Sequence, residues 1–256
     1  MDLGLQGRVV AVAGGTSGLG RATAAALQAE GATVAVCGRD QDRVTQASQD
    51  GLDASAVDVT DHDAARAWID RVADRHGGLH VLLANAGGPP QGMATAFDVQ
   101  AYADALNLSL LSQINLVQAA LPHLQQAGWG RILFVTSKSV KQPIPGLALS
   151  NTARVGVLGY AKSLVADLAA QDRAADRTGQ ITVNVLAPGS TRTGRLESLA
   201  GPDVEAGLAG MAAQIPLGRV GRPEEFAAAA AFLASDAASF ITGVVLPIDG
   251  GEIQGL

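Results

Sequence analysis

The sequence contains a single cysteine, Cys37, which lies inside an apolar run. One thiol cannot form a disulfide within the chain, so we expect a buried core side chain in a reducing compartment. The N-terminus lacks the basic stretch, apolar segment and cleavage site of a secretory signal, and the apolar run 226–234 is too short to span a bilayer. These absences predict a soluble, cytoplasmic protein that does not act at a membrane.

Positive charge is also scarce, with 18 Lys and Arg against 24 Asp and Glu and a formal net charge of −6. This balance argues against a nucleic-acid partner, although it leaves room for a local basic pocket that holds one phosphate. Of the four scattered histidines, His76 and His80 are four positions apart, but Gly77 and Gly78 between them disfavour a helical metal-binding pair. We therefore predict no metal and a small-molecule partner.

Short apolar runs alternate along the chain with longer segments that have helical spacing. Their continuous apolarity is typical of strands buried on both faces of a parallel sheet. Right-handed crossovers between such strands build a doubly wound sheet. We predict an α/β fold of one domain over 1–256, a Rossmann-type seven-stranded parallel sheet with helices on both faces. The predicted strands are 8–14, 32–38, 54–59, 79–87, 130–137, 180–189 and 243–251.

The segment 194–218 interrupts this alternation with Gly, Pro and short helical pieces. Irregular segments of this length inside a compact domain are often functional. We predict that it forms a substrate-covering lid over a site.

Glycines follow the first predicted strand in the stretch AVAGGTSGLGRA, with Gly14, Gly18 and Gly20 spaced G-x-x-x-G-x-G. Glycine there allows a tight turn and lets a pyrophosphate approach the helix N-terminus, where free N–H groups and the helix dipole favour anions. The triplet alone is a weak signal, but it lies in the first strand-turn-helix unit, where this fold binds a dinucleotide.

The end of the second strand discriminates between the two nicotinamide dinucleotides. A carboxylate there would bind the 2′-hydroxyl of the adenosine ribose, but the sequence has Gly38 followed by Arg39. Glycine removes the repulsion of a 2′-phosphate, and the guanidinium can bind it in a bidentate contact. The pattern favours NADP(H) over NAD(H); the alternative is a solvated arginine among neighbouring charges.

Several ordered stretches together resemble the short-chain dehydrogenases/reductases, particularly the 3-oxoacyl-carrier-protein reductase type. GGTSGLG is similar to the cofactor loop of that family, DVT at 58–60 to its adenine-contacting stretch, and ANAG at 84–87 to its N-N-A-G motif. APGSTRT at 187–193 and the C-terminal region from 216 to 251 are also similar to the family pattern. The resemblance covers nearly the whole chain and implies an oxidoreductase that acts on a carbonyl or alcohol substrate.

The resemblance also implies which residues bind the cofactor. The pyrophosphate would be held by Gly14, Ser17, Gly18, Leu19 and Gly20, and the 2′-phosphate by Arg39. The adenine would contact Asp58 and Val59, and the adenosine-ribose side would contact Asn85, Ala86 and Gly87. The nicotinamide end would meet Pro188, Gly189, Thr191 and Thr193.

The implied catalytic positions depart from the family, which usually carries Asn, Ser, Tyr and Lys. The tyrosine phenol exchanges a proton with the substrate oxygen, and the lysine lowers the pKa of that phenol. Alignment of the local motifs predicts the tetrad Ser109, Ser137, Ser150 and Arg154, in which Ser137 alone is the expected residue. Tyr160 and Lys162 cannot replace the missing pair, because side chains two apart on a helix do not face each other.

Three functions remain open at this stage. The chain is an oxidoreductase in which Ser137, Ser150 and Arg154 polarise a carbonyl, or in which Lys138 or Lys141 supplies the acid. It is alternatively a catalytically weak or silent NADP(H)-binding protein, or a non-redox enzyme on the same fold. The intact glycine loop favours a nucleotide-using function over the non-redox enzyme, and of the two nucleotide-using functions we prefer the oxidoreductase. Family members associate, so the resemblance also implies a homotetramer or homodimer, while the substrate itself is not indicated.

Overall fold

The computed structural model describes residues 2–176 and 180–255, in which seven strands form one sheet. All six neighbouring pairs are parallel, and the strand order is β3-β2-β1-β4-β5-β6-β7. The predicted doubly wound parallel sheet is therefore confirmed. The strands are β1 Val9–Val12, β2 Thr33–Gly38, β3 Asp53–Ala56, β4 Val81–Ala84, β5 Gly130–Val135, β6 Ile181–Pro188 and β7 Val245–Ile248.

Helices connect the strands and cover both faces of the sheet. Several begin at a side-chain cap: Asp61, for example, accepts a hydrogen bond from the backbone N–H of Ala64 and starts the third helix. The helices in the described residues are α1 Gly18–Ala29, α2 Gln41–Gln49, α3 His62–His76, α4 Val99–Leu106, α5 Ser112–Ala127, α6 Ala148–Ala174, α7 Gly194–Leu199, α8 Val204–Ala212 and α9 Pro223–Leu233.

Alternate residues of each buried strand supply two separate cores. In β1, Val9 and Ala11 pack on the face with Trp68 of α3, whereas Val10 and Val12 pack on the face with Phe226 of α9. Because both faces are covered, the central strands β1 and β4 are apolar and fully buried, which is the pattern that predicted them.

Some predicted strands extend beyond the ends of the observed strands. Strand β3 stops at Ala56 rather than at Val59, because the Asp58 carboxylate accepts hydrogen bonds from the backbone N–H and the hydroxyl of Thr60 and turns the chain. Strand β4 stops at Ala84, just before Asn85. These early stops leave polar residues at the carboxyl edge of the sheet, where the functional cleft lies.

The predicted lid segment contains α7 and α8 and lies beside that edge, with Leu199 and Met211 lining the cleft. Its proposed closing role remains a prediction. No helix in the described ranges is long and apolar enough to cross a membrane.

Candidate active site

A cleft of about 790 Å³ opens at the carboxyl ends of the strands. It includes the point where the chain order of the sheet reverses, between β1 and β4, which is where open α/β sheets bind ligands. The glycine loop, the ends of β4, β5 and β6, the start of α6 and the segment 194–218 form its walls.

The glycine loop packs so closely that side chains would obstruct it. Gly14 and Gly18 have φ values of +60° and +53°, which favour glycine. A Cβ on Gly20 would lie 2.3 Å from the carbonyl oxygen of Gly14, which is far inside van der Waals contact. Helix α1 therefore begins directly beneath the loop.

The N-terminus of α1 is left available to a ligand. The N-cap residue Ser17 makes no side-chain capping hydrogen bond, and the first turn carries no acidic residue. By contrast, Asp40 and Asp61 cap α2 and α3 with their carboxylates. The free N–H groups and the helix dipole of α1 thus meet the cleft, and this arrangement suits the pyrophosphate of a dinucleotide. Leu19 also lines the cleft.

Arg39 and Asp58 meet at the end of β2, with 3.6 Å between guanidinium and carboxylate. Burial opposes ionisation of Asp58, but the hydrogen bonds from Thr60 and the charge of Arg39 outweigh it and lower its pKa. A Cβ on Gly38 would lie 2.2 Å from the hydroxyl oxygen of Thr16, so a side chain there would require Thr16 to move. Arg39, Asp58 and the buried Val59 are not among the residues that line the cleft.

The other cofactor residues implied by the resemblance all line the cleft. Asn85 ties two strand ends together, because its amide donates to the carbonyl of Ala13 at 3.2 Å. Thr193 accepts a hydrogen bond from the backbone N–H of Leu196 and caps α7. The structure brings together Asn85, Ala86, Gly87, Pro188, Gly189, Thr191 and Thr193.

Ser150 and Arg154 share one face of α6 and both line the cleft, as their spacing predicts. The Nε of Arg154 donates to the Ser150 hydroxyl oxygen at 3.2 Å. Its Nη1 donates to the carbonyls of Val135 and Thr136, and its Nη2 donates to the carbonyl of Gly87. Burial, reinforced by the charge of Arg195, lowers the pKa of Arg154 to about 10.

Ser137 and Lys138 follow β5 into the same cleft. The Ser137 hydroxyl oxygen accepts a hydrogen bond from the backbone N–H of Ser139 at 3.1 Å. The Lys138 ammonium forms an ion pair with Glu252. Lys141 is exposed and does not line the cleft, so the structure separates the two lysines considered as acids.

Ser109 lies behind the cleft rather than in its wall. It sits in a wide helical turn, 107–111, its side chain is fully buried, and its hydroxyl has no hydrogen-bond partner among the described residues. Gln113 donates to the carbonyls of both Ser109 and Val135, the second of which also accepts from Arg154. Ser109 is thereby linked to the site through its backbone.

Like Arg43, the charged residues Glu252 and Arg195 line the cleft but were not predicted as site residues from the sequence. Glu252 accepts hydrogen bonds from the backbone N–H and hydroxyl of Ser190, both at 2.9 Å, besides pairing with Lys138. Arg195 donates to the carbonyl of Pro89 at 2.8 Å. No local motif marks either residue, because their partners are distant in sequence.

Comparison with known proteins assigns the family. A family model described as enoyl-(acyl carrier protein) reductase matches residues 13–252. Cis-4-hydroxycyclohexanecarboxylate dehydrogenase of Sinomonas cyclohexanicum is 37% identical over 250 residues, 95% of this chain and 96% of that protein. The 3-oxoacyl-[acyl-carrier-protein] reductase FabG of Thermotoga maritima is 30% identical over 255 residues, covering 97% of this chain and 99% of that protein.

A solved structure shows the same relationship. L-Sorbose reductase from Gluconobacter frateurii, complexed with NADPH and L-sorbose, matches with a TM-score of 0.92 and 25% identity over 100% of both chains. The chain therefore belongs to the short-chain dehydrogenase/reductase family, and the predicted resemblance is confirmed. Its relatives are dehydrogenases and reductases.

Proposed function

We propose that this protein is an NADP(H)-dependent oxidoreductase that transfers hydride between the nicotinamide and a carbonyl or alcohol substrate. The observation that carries the proposal is the hydrogen bonding of Ser150. Because its oxygen accepts from Arg154, its own hydrogen is free to point elsewhere, and the residue faces the same cleft as the intact glycine loop.

The choice of NADP(H) rests on the residues at the end of β2. Gly38 places no carboxylate against a 2′-phosphate, and Arg39 stands beside it with a largely exposed side chain. Arg43, the next arginine along the chain, lines the cleft. The related L-sorbose reductase was solved with NADPH, which supports the same cofactor. When bound, NADPH would supply the hydride.

Reduction of a carbonyl also requires a proton for the oxygen. Ser150 and Ser137 each accept a hydrogen bond from protein N–H groups, so both hydroxyls can donate to the substrate oxygen and polarise the carbonyl. An aliphatic hydroxyl is a weaker acid than a phenol. We therefore infer that Lys138, which lines the cleft and whose ammonium pairs with Glu252, supplies the proton.

A catalytically weak or silent NADP(H)-binding protein is the second candidate. The Arg154 guanidinium donates to three main-chain carbonyls, and this favours a structural role for the residue at the position of the family lysine. The hydroxyl of Ser109 is buried and does not line the cleft. No feature of the described residues favours the non-redox alternative.

Two measurements separate these candidates. Titration with NADPH, followed by its fluorescence, tests the nucleotide pocket, and absence of any change would count against both. A carbonyl panel followed at the nicotinamide absorbance then tests turnover. Binding without turnover of any substrate would favour the silent protein.

The double variant Ser150→Tyr with Arg154→Lys tests whether the native mechanism is complete. If the wild type reduces a substrate and the double variant is no faster, the serine and arginine act as a working set. A large gain on restoring the family residues would instead mean that the native set is defective.

We also propose that the chain forms a homotetramer or homodimer and that 194–218 closes over bound substrate. Light scattering measures the first. Protection of that segment from hydrogen exchange by NADPH and substrate measures the second, and unchanged exchange would argue against a lid.

A further inference from the structure

The cleft contains two arginines that no carboxylate neutralises within the described residues. Several other arginines have such partners: Arg21 lies 2.7 Å from Asp50, and Arg219 lies 2.7 Å from Glu225. Arg154 and Arg195 have no carboxylate within ion-pair distance in the described ranges, yet both line the cleft. Two uncompensated cations in one cleft indicate a site for negative charge.

Arg154 is the buried one of these two cations. All the hydrogen-bond acceptors it meets are neutral: three carbonyl oxygens and the hydroxyl of Ser150. A buried cation is costly unless an opposite charge approaches it. The lowered pKa of Arg154 is consistent with this lack of compensation.

Arg195 is the accessible cation and stands against the loop that follows β4. Its guanidinium atoms would lie 3.4 to 3.6 Å from a Cβ added to Gly88, and its Nη2 donates to the carbonyl of Pro89. Its side chain is held at one wall by neutral groups, and it is near enough to affect the ionisation of Arg154. A ligand in the cleft can therefore reach both positive charges.

The remaining charged groups of the cleft do not cancel this field. Glu252 is paired with Lys138 and held by Ser190, so these two side chains neutralise each other. Arg43, at the glycine-loop wall, is paired with Asp40 at 3.6 Å and therefore adds no uncompensated charge. Apolar side chains also line the cleft, including Ile144, Leu147, Leu196, Leu199 and Met211.

We propose that the substrate is a carboxylic acid with an apolar carbon skeleton, whose carboxylate binds Arg195 in the field of Arg154 while its carbonyl or hydroxyl faces Ser150. This proposal rests on the proposed oxidoreductase function and specifies its substrate class as an oxo acid or hydroxy acid. The sequence did not reveal the pair, because 41 positions separate the two arginines.

The test compares 4-oxocyclohexanecarboxylate with its carboxamide, which has the same ring and ketone but no charge. Binding of each to the protein saturated with NADP⁺ is measured by calorimetry, and reduction of each is measured with NADPH. A hydrogen bond to a charged group contributes about 1.5–3 kcal/mol, so we expect the acid to bind roughly 10- to 100-fold more tightly than the amide. Equal affinities would overturn the proposal.

Arg195→Gln is the test variant and Arg192→Gln is its matched control. The control removes the same charge three positions away, from an arginine that already pairs with Glu197 and Glu205. We expect the first variant to lose most of the preference for the acid and the second to keep it. Equal effects in the two variants would overturn the proposal.

The NADPH affinity of both variants distinguishes a substrate site from a cofactor contact. Unchanged NADPH affinity in Arg195→Gln, with weakened binding of the acid, supports the proposal, whereas a larger loss of NADPH affinity would assign Arg195 to a cofactor phosphate and overturn it. Failure of the oxidoreductase function would be seen separately, as tight and selective binding of the acid with no turnover.

Discussion

At the scale of single residues, the candidate site depends on how two side chains four positions apart divide their hydrogen bonds. Their spacing on α6 predicts that Ser150 and Arg154 share a face, and the structure agrees. The spacing cannot predict that the guanidinium also reaches carbonyls at the ends of β4 and β5, because those contacts form between distant parts of the chain. The serine hydroxyl accepts from Arg154, and its own hydrogen is therefore available to donate toward the cleft, as the proposed function requires.

Replacement of Ser150 by alanine tests this donor. If Ser150 polarises the substrate oxygen, Ser150→Ala should lower kcat by about 100-fold, as removal of one donor to a developing oxyanion does. The affinity for NADPH should remain unchanged, because the glycine loop is untouched. Steady-state kinetics and fluorescence titration measure the two effects.

Ser163→Ala is the matched control, since Ser163 lies on the same helix with an exposed side chain. Loss of the acceptor for Arg154 should also destabilise Ser150→Ala by about 1–3 kcal/mol in urea unfolding, whereas the control should not change. Equal kcat values for the two variants would contradict the role of Ser150 as a donor.

At the scale of secondary-structure elements, the buried strands could be predicted closely, but the strand ends could not. Apolar runs identified the central strands because burial on both faces leaves a local signature in the sequence. The end of β3 depends on the carboxylate of Asp58 turning the chain, which competes with continued pairing. The site residues Glu252 and Arg195 escaped prediction for a related reason, because their contacts are made across elements.

The N-terminus of α9 provides a prediction about pH at this scale. Glu225 accepts a hydrogen bond from the backbone N–H of Arg222 and pairs with the Arg219 guanidinium. Chiefly through the bond from Arg219, these contacts lower the pKa of Glu225 to about 2. A carboxylate with a depressed native pKa stabilises the fold above its unfolded pKa, near 4.3, and this stabilisation disappears as the pH falls through 2.

Glu225→Gln should therefore lower the free energy of unfolding at pH 7, and its difference from the wild type should shrink steadily between about pH 4 and pH 2. Glu224→Gln is the control, because it removes the same charge from the first turn of α9 at an exposed residue. Denaturant unfolding at several pH values measures both. A difference for Glu225→Gln that stays constant with pH would refute the assignment.

At the scale of the whole molecule, the parallel sheet separates two cores and leaves its carboxyl edge open to a ligand. The glycine loop and the central strand end meet there, while Arg39 and Asp58 lie at the end of the neighbouring strand. A ligand that contacts several elements at this edge stabilises the folded state as a whole. Cofactor binding should therefore appear directly in the stability of the protein.

A cofactor that binds the folded state alone raises the free energy of unfolding by about 2.7 kcal/mol at a concentration of 100 Kd. We expect NADPH to produce this increase and NADH at the same concentration to produce less, because NADH lacks the 2′-phosphate that Arg39 would bind.

Arg39→Gln should weaken NADPH binding by about tenfold, which is the lower end for a charge-assisted hydrogen bond because the site is exposed. The difference between the stabilisation by NADPH and the stabilisation by NADH should therefore become smaller in this variant. Arg75→Gln is the control, since Arg75 is similarly exposed and pairs with Asp53 at 2.9 Å at the start of β3. If NADH stabilises the wild type as much as NADPH does, or if the two variants behave alike, then Arg39 does not select the phosphate.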